Sequence, residues 1–158
     1  MKSELNKEFE EAFKSYKEEL GFNSSLEKLD SIFFIRDQIQ REDYISKDLG
    51  RQVARRIVDL YNSWLGYIHG LMMPNPSSMF SVTESQMFDE QEKEELIKLM
   101  NKALELTTRN TLIGLNNDKE KEKEFIDYSV EFWDNEFKPK LIKMMNKINL
   151  DWDEKAKE

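Results

Sequence analysis

From Leu60 to Thr83 the chain reads LYNSWLGYIHGLMMPNPSSMFSVT, 24 residues without one Asp, Glu, Lys or Arg in a protein whose composition is 35% charged. Charged side chains keep a helix surface wet, so a gap of this length marks a segment that folding must treat differently from its surroundings. Leu60, Tyr61, Trp64, Ile68 and Leu71 continue an apolar arc begun by Leu49, Val53 and Ile57, which predicts one helix from a Ser46 cap to Pro74. Its first half carries Asp48, Arg51, Gln52, Arg55 and Asp59 on the outward side. In the second half those positions pass to Ser63, Gly66 and Gly70, small residues over which another backbone can approach closely. Three readings follow: a central helix packed on most of its circumference, a face that meets a second copy of the protein, or the wall of a ligand pocket. The expectation is the first.

Helical spacing extends through the rest of the chain. Leu5, Phe9, Ala12, Phe13, Tyr16 and Leu20 form one stripe, stopped by Gly21. Ser24 or Ser25 caps a second helix through Leu26, Leu29, Ile32, Phe33 and Ile39, which places Arg36 in the middle of an apolar arc. Two capping boxes, Thr83 with Gln86 and Asp89 with Glu92, predict a short helical turn and then a long helix through Leu96, Met100, Ala103, Leu104, Thr107 and Leu115. After the break at Asn116 to Asp118, a last helix carries Phe125, Tyr128, Phe132, Trp133, Leu141, Met144 and Ile148, with a bend expected at Pro139. Neither strand-like alternation nor a longer repeat interrupts this pattern. The expected fold is all-α, a single-domain antiparallel bundle of about five helices over residues 1–150, with the uncharged helix near 47–73 at its centre and a frayed charged tail over 151–158.

Totals narrow the functions. The chain has no Cys, which removes disulfides, thiolate metal sites and cysteine nucleophiles, and its one histidine, His69, excludes a site with two histidine ligands. The apolar run from Leu60 to Met73 is shorter than the roughly 20 residues needed to cross a bilayer. Charges fill the N-terminal region where a signal peptide places its apolar stretch, so a cytoplasmic protein without membrane contact is expected. A net charge of −8 disfavours a general grip on nucleic acid, although Arg36, Arg41, Arg51, Arg55 and Arg56 cluster in sequence.

The candidate chemistry is sparse. His69 falls on the same helix edge as Arg51, Arg55 and Asn62, a polar row able to hold an anion. Glu124, Asp127, Glu131 and Asp134 have the Glu-x-x-Asp spacing of helical magnesium sites, but the helical wheel turns them away from Phe125, Tyr128, Phe132 and Trp133. No catalytic set, metal site or cofactor is expected. The leading expectation is a non-enzymatic binding protein whose partner is another protein or a second copy of itself. Its contacts would come from Ser63, Gly66 and Gly70 together with the pliable Met73, Met79 and Phe80. A nucleic-acid or phosphate-ligand binder using the arginines, with Arg36 and His69 deeper in the groove, is the alternative. A magnesium-dependent nucleotide hydrolase is the third reading.

Overall fold

A computed structural model describes residues 2–158, and no described residue lies in a strand. The helices are α1 (Lys2–Leu20), α2 (Leu26–Phe33), α3 (Ile35–Glu42), α4 (Leu49–Met72), α5 (Met79–Gln86), α6 (Glu90–Asn116), α7 (Lys119–Phe132) and α8 (Lys138–Ala156), with a π-helical turn over Trp133–Phe137. The all-helical bundle is as expected, with more segments than the expected five. None of these helices is long and apolar enough to cross a membrane.

Local chemistry accounts for most boundaries. Gly21 takes φ +84° and donates to the Lys17 carbonyl, ending α1. Ser25 caps α2 by accepting from the Lys28 N–H. Asp89 and Glu92 exchange N–H bonds as a capping box at the start of α6. At α4 the side chain that accepts from the first turn is Asp48, which bonds the Arg51 N–H, while Ser46 closes a turn on the Asp48 N–H. The short helix begins at Ser78, not Thr83, because the Ser78 hydroxyl accepts from the Ser81 N–H.

Two interruptions depart from the sequence pattern. The expected second helix is split at Phe34, which takes φ +55° and donates to the Asp30 carbonyl. Asp30 then accepts the Arg36 N–H, and Arg56 Nε donates to the Phe33 carbonyl, so the groups released by the break are satisfied. In the last helix the disturbance precedes Pro139: the Lys138 N–H reaches back to the Trp133 carbonyl, a π-type bond, and Pro139 falls in the first turn of α8, where its missing N–H costs least. The helix continues through Ala156 instead of fraying at residue 151. Trp152 accounts for part of this, donating its indole N–H to Glu84.

The bundle clusters into two compact units, one of residues up to Tyr61 with Leu106–Glu131, the other of Asn62–Glu105 with Phe132–Glu158. The first has an aromatic core in which Phe13 meets Phe22 edge-on at 5.7 Å and Phe33 packs with Tyr61 at 6.1 Å. Tyr61 is fully buried, and its hydroxyl donates to the Ser129 carbonyl at 2.6 Å. The second is built on Leu65, Ile68, Leu99, Phe137, Leu141 and Met144. On α6 the buried stripe is Leu99, Ala103, Leu106 and Ile113, while Leu104 and Leu115, expected inside, are exposed.

Candidate functional site

The second half of α4 is not enclosed. Asn62, Ser63, Gly66 and His69 are exposed, and a Cβ added at Gly66 or Gly70 would meet nothing within 4 Å. The expectation of a helix packed on most of its circumference is therefore corrected: only the Leu65, Ile68 and Leu71 side is covered. The absence of charge reflects an uncharged outer surface as well as a buried inner one.

Beside this face α5 forms the far wall of a groove of about 290 Å³, floored by Gly66 and Gly70 and flanked by Tyr67, Ser81 and Glu84. The loop that delivers α5 is tied down by its own polar groups. Ser81 Oγ accepts the Asn75 N–H, Asn75 Oδ1 accepts the Ser77 N–H, and the Ser85 hydroxyl donates to the Leu71 carbonyl at the end of α4. Glu84, the acid on this wall, is bonded at both oxygens: Tyr67 donates to one at 2.6 Å and Trp152 to the other at 2.9 Å. Burial and the bond to Glu84 push the Tyr67 hydroxyl pKa up, so it stays protonated and donating. At the tip, Met73 and Met79 are each 70% exposed and Phe80 is 65% exposed, with the Phe80 ring edge-on to Trp152 at 6.2 Å.

The arginine cluster is dispersed by its partners. Arg36 does not sit in an apolar arc, because the break at Phe34 changes the phase of the helix before it. Its guanidinium lies 3.1 Å from Asp30 and 3.2 Å from Glu10, and these bonds outweigh burial to hold its pKa above the ordinary arginine value. Arg41 pairs with Asp37 one turn away. Arg51 turns inward: Nε donates to Glu122 Oε1 at 2.7 Å, Nη2 lies 2.6 Å from the same oxygen, and Nη1 donates to Asn110 at 2.9 Å. Arg55 is exposed beside an open concavity that also borders Arg51 and Asn110. Of the polar row expected on one edge of α4, Arg51 is bonded to Glu122 and Asn110, while Arg55, Asn62 and His69 are exposed.

Glu122 is the polar centre that the sequence pattern did not single out. It lies in the charged run DKEKEKEF, yet its side chain is 1% exposed. Tyr16 donates to its second oxygen at 2.7 Å, and burial together with that bond drives the Tyr16 pKa far upward. Gly50 makes the arrangement possible, since a Cβ there would overlap both Glu122 Oε2 and the Tyr16 hydroxyl. One signal was legible: Glu122 precedes Phe125, Ile126 and Ser129 at helical spacing, on the buried stripe of α7. Gln52, expected on the outward side of α4, is likewise buried, donating to Glu42 and accepting from the Ser46 N–H.

The acidic row near the C-terminus behaves as its orientation predicts. Glu124, Glu131 and Asp134 are exposed, and Asp127 accepts from the Asn23 and Ser24 N–H groups and the Ser24 hydroxyl, fastening the turn between α1 and α2. Among the described residues no group of three or more His, Cys, Asp or Glu is placed to hold a metal ion. No protein-family model matches the chain, and neither a curated protein nor a solved structure matches it.

Proposed function

We propose that this protein is a cytoplasmic, non-enzymatic binding module whose partner is another protein, in the first instance a second copy of itself, held on the α4–α5 face. The observation that carries the reading is the exposure of Ser63 and Gly66, with the half-buried Gly70 one turn on and open space above both glycines, beside the exposed Met73, Met79 and Phe80. In a chain of net charge −8, two copies repel over most of their surfaces, and a face whose groove holds one acid, Glu84, with both oxygens already bonded, is where that repulsion is weak. Small residues allow close backbone approach and methionines adapt to the opposing surface. The phosphate-binding alternative has less support, because Arg36 and Arg51 are already bonded to carboxylates and Arg56 to a carbonyl.

Native mass spectrometry and sedimentation of the wild type and of Gly66→Leu/Gly70→Leu test the proposal. Since neither leucine Cβ meets a neighbour within the chain, the variant should fold with a thermal midpoint no lower than the wild type's and lose self-association by at least about tenfold. A wild type that stays monomeric at every concentration overturns the self-association, as does an assembly indifferent to both leucines.

A further inference from the structure

A second concavity lies within the second unit, between the beginning of α6 and α8, and shares no residue with the α4–α5 face. Its volume is about 150 Å³, and its floor is the buried Phe88, Leu96 and Met144. An apolar cavity of about that size accommodates one benzene ring. The floor side chains carry neither a hydrogen-bond donor nor a strong acceptor, so the part of a ligand that enters must be apolar.

The rim selects the other end. Lys140, Lys143 and Lys147 surround it with Glu92 and Glu95. Glu92 is occupied by Lys147 and by the Asp89 N–H, and Lys147 also lies over the Phe88 ring at 5.2 Å. Glu136, the other acid near Lys140, is bonded to Lys102. This leaves the exposed Lys140 and Lys143 against Glu95, a local excess of positive charge in an acidic protein. We infer that this cavity binds a small aromatic carboxylate, the ring on Phe88, Leu96 and Met144 and the carboxylate between Lys140 and Lys143. The recognition is divided as in many small-ligand sites, with burial of the ring giving affinity and the ammonium groups giving orientation.

Benzoate is the probe, and the methyl group of Met144, labelled with carbon-13, is the reporter, because it sits on the floor and would feel the ring current directly. Benzoate should shift that methyl resonance saturably. Benzyl alcohol, of similar shape without the charge, should bind about tenfold more weakly, as two exposed ion pairs in the upper half of their usual range would give. Lys140→Glu/Lys143→Glu changes exposed residues only and should weaken benzoate by a similar factor while leaving the other methionine methyl signals in place. Absence of a saturable shift at Met144 overturns the site. Equal binding of benzyl alcohol, or unchanged benzoate binding in the lysine variant, overturns the assignment of a carboxylate.

Discussion

Gly50 and Gly66 belong to the same helix, and their surroundings are opposite. At Gly50 the space a methyl group would need is filled by the Glu122 carboxylate and the Tyr16 hydroxyl; at Gly66 that space is empty. The first glycine serves a buried polar network centred on Glu122, and the second belongs to an exposed stretch of helix without charged side chains. A glycine on a helix therefore reports that something small is tolerated there, and only its surroundings say whether the reason lies inside the molecule or outside it. The same contrast separates the charges: Glu122 is buried within a run of lysines and glutamates, while the charge-free segment presents half of its helix to solvent.

The largest effect should come from removing the centre of the buried network. Glu122→Ala leaves the Arg51 guanidinium, itself mostly covered, and the Tyr16 hydroxyl without their shared partner, and should destabilise the fold by about 3 kcal/mol in denaturant unfolding. A loss below about 1 kcal/mol would break the comparison, because the site would then tolerate water. Gly50→Ala should cost about 1–3 kcal/mol as the carboxylate and phenol are forced apart. If it instead stabilises, the close approach at Gly50 is not required.

On the open side the sign reverses. Gly66→Ala and Gly70→Ala each fill empty space on a helix and remove backbone freedom from the unfolded chain, so each should raise stability by about 0.5–1 kcal/mol. Destabilisation at either position would place an unseen contact there.

The smallest effect concerns pH. In the second unit Glu92 is held below the usual carboxylate range, first by Lys147 and then by the Asp89 N–H. A carboxylate with a depressed folded-state pKa stabilises above its unfolded value, near 4.3, and loses that contribution as pH falls through the folded value. Lys147→Met should therefore be less stable than the wild type at neutral pH by roughly 0.2–1 kcal/mol, the range for partly exposed pairs. The gap should close in strong acid. A gap independent of pH would assign the role of Lys147 to packing over Phe88 instead of charge.

By itself, the sequence determined the helices and several of their ends: the stop at Gly21, the cap at Ser25, the box formed by Asp89 and Glu92, and the outward row of Glu124, Glu131 and Asp134. The helix ends depend on hydrogen bonds between residues within about one turn of each other and the outward row on helical phase, so the pattern that produces them is contained in a short window. Tertiary structure decided what no window holds. Phe34 adopts a left-handed conformation, although 52% exposed, because Asp30 and Arg56 bond the groups on either side of it, and that break carried Arg36 out of the arc where periodicity had placed it. Glu122 became a buried centre because α1 and α4 bring Tyr16, Gly50 and Arg51 to it across large sequence separations. Whether a helix face is covered is a property of which neighbours pack against it, and for Ser63, Gly66 and Gly70 the fold supplies none over the two glycines.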